Sequence, residues 1–302
     1  MFFISHTNIS HINICDINIC DINICDMNKY KAIVLDFDGT LTNDAKEITP
    51  KTHDTLMQAQ QAGLRIILAS GRPTYGISAL ADELEIGRYG GFVLAFNGGR
   101  IIEWGENPRI IADTILDASL VSPLYAAAKE AGCEILTYQG EGIAATSTRN
   151  KYVLHEAFIN KMPVKLYDDF VGQVEHPINK CLIVGDPQRL IPLEQQLAAR
   201  YAGRLSVYRS AAFFLECVPP GIDKAASLQL LIERLGLSRE ELMAVGDGYN
   251  DLSMIRFAGL GVAMANAARE VQDAADYITY SNQEDGVAHV VEKFFLRPLS
   301  KQ

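Results

Sequence analysis

Short apolar runs recur along this chain, each closed by small or acidic residues. Ala32-Ile33-Val34-Leu35, Leu64-Arg65-Ile66-Ile67-Leu68-Ala69 and Leu242-Met243-Ala244-Val245 show almost no alternation with polar positions. Runs of this length and character predict strands covered on both faces, as in a parallel sheet. Another strand is predicted at roughly 91–96. Between the first two runs, Thr49 can cap a helix, Pro50 can occupy its first turn, and Gly63 can close it. A second helix is predicted over roughly 223–235. Strand–helix–strand alternation predicts an α/β fold with a parallel sheet.

The spacing predicts an insertion. Residues 36 and 70 are 34 apart, one ordinary strand–helix–strand unit, whereas 154 residues separate Ser70 from Lys224. About 100 of these exceed what one helix and one strand need, and they carry their own pattern. A helix is predicted over 118–131, strands over 133–138, 142–147 and 180–184, a helix over 189–202, and strands over 204–209 and 212–218. Whether 212–218 joins the inserted sheet or leads back to the first unit stays open. The predicted division is 27–110 with 219–302 for the α/β core and 111–218 for an inserted α+β domain.

Chemistry gathers where the core strands end. Asp36-Phe37-Asp38-Gly39-Thr40 follows the first run, at the carboxyl edge where open α/β sheets hold ligands. Asp36 and Asp38, two apart, leave a strand on the same side. Close carboxylates repel unless a cation lies between them or one holds a proton. The second run ends in Ser70-Gly71-Arg72-Pro73, whose hydroxyl, backbone N–H groups and guanidinium suit a phosphate. The run at 242–245 ends in Gly246-Asp247-Gly248-Tyr249-Asn250-Asp251, offering hard oxygen ligands of the kind that hold Mg²⁺. Lys224 opens a helix between these strands and supplies a cation for phosphate and carboxylate. Gly71, Arg72, Asn97, Gly98 and Asn250 are candidate substrate contacts. Trp104 is expected to pack against the inserted domain, and Tyr138, Glu141 and Arg149 are candidate specificity residues on it.

Composition narrows the partners. The net charge of −10 argues against a nucleic-acid partner, which would call for clustered Lys and Arg. No run of 18 apolar residues is present, so no segment is predicted to span a membrane. Residues 1–26 repeat Ile-Asn-Ile-Cys-Asp three times, with isoleucines at a spacing that fits neither strand nor helix. That segment reads as a translated nucleotide repeat ahead of a start at Met27. Its Cys15, Cys20 and Cys25 lack zinc-site spacing. Cys133, Cys181 and Cys217 sit in apolar surroundings and read as reduced core residues of a cytoplasmic protein.

The ordered set of motifs resembles the haloacid dehalogenase superfamily of phosphohydrolases. It comprises Asp36-Phe37-Asp38-Gly39-Thr40, Ser70, Lys224, and Asp247 with Asp251. Ala95-Phe96-Asn97-Gly98-Gly99, Gly261 through Ala267, and Glu284-Asp285-Gly286-Val287-Ala288 are similar to the Cof-type branch with a type IIB cap. The resemblance implies a Rossmann-like core with an inserted α+β cap, and Asp36 as a nucleophile that forms an aspartyl-phosphate. It implies Asp38 as general acid and base, and Ser70 and Lys224 on the phosphoryl oxygens. Mg²⁺ is implied on Asp36, Asp247 and the carbonyl of Asp38, with Asp251 adjacent or an additional ligand. The expected partner is a small phosphorylated metabolite, with a sugar phosphate foremost, acted on by a monomer or weak homo-oligomer. A phosphosugar mutase of the same superfamily and an idle phosphometabolite-binding module are the alternatives.

Overall fold

A computed structural model describes residues 29–296; the N-terminal repeat and its three cysteines lie outside the described residues. The core strands are β1 (Ala32–Asp36), β2 (Arg65–Ala69), β3 (Phe92–Ala95), β4 (Arg100–Glu103) and β5 (Arg109–Asp113). A second group follows: β6 (Glu134–Gln139), β7 (Gly142–Ala145), β8 (Val164–Leu166), β9 (Cys181–Val184), β10 (Ser206–Ala211) and β11 (Phe214–Val218). The chain then returns through β12 (Leu242–Gly246), β13 (Leu260–Ala263) and β14 (Tyr277–Ile278).

The first and last groups form one eight-stranded sheet in the order β14-β13-β12-β1-β2-β3-β4-β5. Its pairs are parallel from β14 to β3 and antiparallel from β3 to β5. Every residue of β1 is buried. Ile33 and Leu35 join the apolar layer on one face, with Leu56 of helix α1 (Pro50–Gln61) and Ile77 of helix α2 (Thr74–Glu83). Ala32 and Val34 join the layer on the other face. The unbroken apolar run in the sequence thus reflects burial from both sides.

Register decides what meets at the carboxyl edge. Asp36 pairs with Ala69 of β2, and Leu35 with Val245 of β12. Residue 36, Ser70 and Asp247 therefore leave neighbouring strands at one level.

The middle strands form a six-stranded sheet in the order β10-β11-β9-β6-β7-β8, antiparallel except for β7 with β8. Helices α3 (Val121–Glu130) and α5 (Pro187–Arg200) bury Leu124, Leu190, Leu193 and Leu197 with Ile135, Ile183 and Leu215 of one face. Helix α4 (Lys151–Asn160) places Val153 against Leu136, Leu182 and Phe214 of the other. Strand period 2 puts Glu216 on the same face as Phe214. Phe214 to Cys217 pairs on both sides within this sheet, so this strand belongs to the inserted domain.

Two expectations need correction. The boundary between 110 and 111 falls inside β5, which pairs with β4 in the larger sheet. The crossing to the second sheet comes after Asp113; β5 is an edge strand set off from β4 by the turn at 105–108, and its exposed residues lack the apolar run of the inner strands. Trp104 does not pack mainly on the inserted domain. It lies in the core layer with Nε1 donating to Asp82 of α2 at 2.8 Å. Among the described residues, no helix is long and apolar enough to cross a membrane.

Candidate active site

Asp36, the last residue of β1, lies on the floor of a cavity of about 710 Å³ between the two sheets. Its Oδ1 accepts a hydrogen bond of 2.6 Å from Lys224, while Oδ2 has no described protein donor. Lys224 opens helix α6 (Lys224–Leu235), whose N-cap Asp223 accepts from the Ala226 N–H. Its ammonium also donates to Asp251 Oδ1 at 2.6 Å and to the Ala69 carbonyl at 2.9 Å. All three of its protons are thereby engaged. Lys224 is expected to hold phosphoryl oxygens, but in this arrangement it grips the two carboxylates and a strand end.

Asp247 and Asp251 complete an acidic cluster with Asp36, their ligand oxygens all within 4.8 Å of one another. Asp247 Oδ1 accepts from the Thr40 hydroxyl at 2.9 Å, and Oδ2 from Asn266 at 3.3 Å. Asp251 differs, because both of its oxygens are committed. One is on Lys224, and the other accepts the Asp247 and Gly248 N–H groups at 3.0 and 2.8 Å. It braces the loop that carries Asp247. Gly39 sits at φ +82° with the Asp247 carboxylate where a Cβ would go, so only glycine lets the first motif close on the last.

The charges do not balance. Burial, followed by the Asp251 charge, pushes Asp36 up to about 8 despite Lys224. Burial pushes Asp247 up to about 6 against the opposing Thr40 hydrogen bond. Burial alone would lower Lys224, but Asp251 and Asp36 raise it, so it stays an ammonium. Three carboxylates against one ammonium leave room for a divalent cation, and an all-oxygen donor set suits a hard one such as Mg²⁺. Asp36 and Asp247 are the two carboxylates of the cluster that are not fully committed to protein donors, and they are able to hold it.

Asp38 lies two residues on and is held differently. Arg72 grips it through two bonds of 2.8 and 2.6 Å, and Lys46 adds a third at 2.8 Å. Burial works against its charge, but Arg72 and then Lys46 outweigh it and hold the carboxyl below its usual range. Arg72 also donates to the Ile159 carbonyl of α4 at 2.8 Å. One guanidinium therefore ties Asp38 to the inserted domain.

Other predicted residues divide. Ser70, Gly71, Arg72, Asn97 and Asn250 line the cavity with Asp36, Asp38, Lys224 and Asp247. The Ser70 hydroxyl accepts the Arg72 N–H at 3.2 Å and keeps its own proton to donate. Asn97 accepts from Asn250 at 3.1 Å and donates to Tyr208 of the inserted domain at 3.4 Å. Gly98 stands apart from the lining: its carbonyl accepts from Ser227 of α6, locking that helix against the sheet. Glu141 and Arg149 are exposed and outside the cavity, and Tyr138 is bonded to Glu156. Sequence reasoning missed Lys46, Glu156, Lys180, Tyr208, Arg209, Ser210 and Glu216. Of these, Lys180 and Glu216 had a legible sign: Lys180 directly precedes the apolar strand Cys181–Val184, and Glu216 is the one charge inside the apolar strand Phe214–Val218.

The family model for haloacid dehalogenase-like hydrolases matches residues 33–291. The chain belongs to that family. A haloacid dehalogenase-like hydrolase from Bacteroides thetaiotaomicron of known structure is 52% identical, with a TM-score of 0.86 over 88% of this chain and 100% of its own. The 5-amino-6-(5-phospho-D-ribitylamino)uracil phosphatase YcsE of Bacillus subtilis is 30% identical over 88% of this chain and 96% of its own. The subclass IIB sugar phosphatase BT4131 shares the fold, with a TM-score of 0.72 at 24% identity over 88% of this chain and 100% of its own. The enzyme is a hydrolase with the core and inserted cap of this family.

Proposed function

We propose that the protein is a Mg²⁺-dependent phosphatase of small phosphorylated metabolites, sugar phosphates foremost, acting through an aspartyl-phosphate. The observation that carries this reading is the free Oδ2 of Asp36, facing a cavity, beside Asp247 and with Oδ1 held by Lys224. Mg²⁺, bound by Asp36 and Asp247, would supply the positive charge that lets two anions approach. The Asp36 carboxylate attacks phosphorus in line and displaces the ester oxygen, forming a P–O bond as the leaving bond breaks. Ser70 and the N–H groups beside it orient the phosphoryl oxygens. Asp38 delivers a proton to the leaving oxygen and later takes one from the water that splits the intermediate. Its clamp by Arg72 must loosen for that, and an arriving phosphate competes for the same guanidinium. The two-domain division serves the same reading, with the inserted cap covering the cleft and keeping bulk water out.

The test is phosphate release from a panel of sugar and nucleotide monophosphates, with Mg²⁺ and with chelator, for the wild type and Asp36→Asn. Metal-dependent release lost in Asp36→Asn is expected. Turnover retained by that variant refutes the nucleophile, and no release from any ester refutes the phosphatase.

A further inference from the structure

The cap wall of the cavity carries four charged side chains, Glu156, Lys180, Arg209 and Glu216. Lys180 is paired with Glu216 at 2.9 Å, and both are buried. Glu216 is satisfied on its other oxygen by the Ser210 hydroxyl at 2.9 Å. Arg209 is paired with Glu194 at 2.7 Å. Each cation of this wall is therefore neutralised by its own carboxylate.

Glu156 is the exception. It projects from α4, is 7% exposed, and is in no ion pair among the described residues. Its Oε1 accepts from the Tyr138 hydroxyl at 2.6 Å and from Asn160 Nδ2 at 2.7 Å. Its Oε2 is bonded to no described group. The side chain is nine-tenths buried and held in place through Oε1, while Oε2 is open to the cavity with no described protein donor, so it is placed to accept from whatever fills that cavity. With Glu194 counted, the wall and its partners carry three carboxylates against two cations, both cations already paired, so a second phosphate placed against it would meet a net negative charge.

We propose that Glu156 is the specificity-determining residue for the leaving group, accepting a hydrogen bond from a hydroxyl of a neutral polyhydroxylated monophosphate and rejecting leaving groups that bear a second phosphate. This rests on the phosphatase reading above and deepens it. It also sets the site against a mutase, because a mutase must seat a bisphosphate with one phosphate on this side of the cleft.

Glu156→Gln tests the polarity without the packing. The amide oxygen can still accept from Tyr138 and Asn160, while the amide nitrogen takes the place of Oε2 and turns an acceptor into a donor. The measurement is kcat/KM for three esters: the best substrate among pentose, hexose and pentitol monophosphates, n-butyl phosphate, and fructose 1,6-bisphosphate. In the wild type the polyol ester is expected to exceed the other two. In Glu156→Gln the ratio of polyol to butyl ester should fall about tenfold or more, and the ratio of bisphosphate to butyl ester should rise. Tyr138→Phe removes one donor to Glu156 and leaves the charge, so its polyol ratio should change by about threefold at most.

An unchanged polyol ratio in Glu156→Gln, or an equal fall in Tyr138→Phe, overturns the proposal. So does a wild type that hydrolyses butyl phosphate as well as every polyol ester, an outcome that leaves the phosphatase reading standing. A wild type inactive on all three esters removes the phosphatase reading and this assignment with it.

Discussion

Metal binding at the Asp36–Asp247–Asp251 cluster should be strongly coupled to pH, in a way the geometry makes calculable. Burial and neighbouring charge put Asp36 at about 8 and Asp247 at about 6. A cation must displace any proton these oxygens carry, so affinity follows the deprotonated fraction of each. Between pH 6 and pH 8 that fraction rises about fiftyfold for Asp36 and about twofold for Asp247, roughly a hundredfold in apparent Mg²⁺ affinity. At pH 7 about one proton should leave per ion bound, falling towards zero above pH 9. Isothermal titration with Mg²⁺ in buffers of different ionisation enthalpy reads both quantities. The metal-free protein adds a check of sign. Asp36 is raised from 3.8 when folded, so its contribution to stability is complete below about pH 4 and is lost as pH climbs through 8. Metal-free stability should therefore decline over that window, by at most about 1.4 kcal/mol per pH unit, and Mg²⁺ should abolish the decline. An affinity that changes less than threefold from pH 6 to pH 8, with no proton released at pH 7, would refute this account of the cluster.

Other expectations follow from single contacts. Lys224→Met strips the ammonium from two carboxylates and should cost about 3–5 kcal/mol in urea unfolding near pH 8, with less lost near pH 5, where the acids can protonate; a cost below 1 kcal/mol at both pH values would count against Lys224 as the brace of the site. Arg72→Met removes the bidentate partner of Asp38, so that carboxyl should rise and stay protonated to higher pH, shifting the alkaline limb of kcat/KM upward; an unmoved limb would separate Asp38 from proton delivery. Gly39→Ala combines a left-handed backbone with a methyl group against Asp247, and Mg²⁺ affinity should drop at least tenfold by titration; unchanged affinity would show that the turn can yield.

How much was legible differs between core and cap. The inner core strands β1, β2, β3 and β12 announce themselves because burial on both faces demands unbroken apolar runs, and Thr49, Pro50 and Gly63 mark where the first helix starts and stops; the partly exposed outer strands β5 and β14 carry no such run and were not predicted. Five of the six cap strands were legible as short runs rich in apolar residues, but the short, largely exposed β8 and the helix Lys151–Asn160 were missed. The helix has few buried positions, Val153, Glu156 and Asn160, and two of them are polar. That polarity hid the helix, and it also makes the helix part of the site.

The sequence by itself determined the α/β core, the existence of an insertion between Ser70 and Lys224, the acids and hydroxyl at the carboxyl ends of β1, β2 and β12, and the lysine that opens the helix at 224. Those features depend on local pattern, which survives in a linear chain. Only the tertiary structure decided who is bonded to whom. Lys224 reaches Asp36 and Asp251 from residues 188 and 27 positions away, and Arg72 joins Asp38 to a carbonyl 87 positions along the chain. Such partnerships are settled by strand register and by how the cap seats on the core, and neither leaves a periodic trace in the residues themselves.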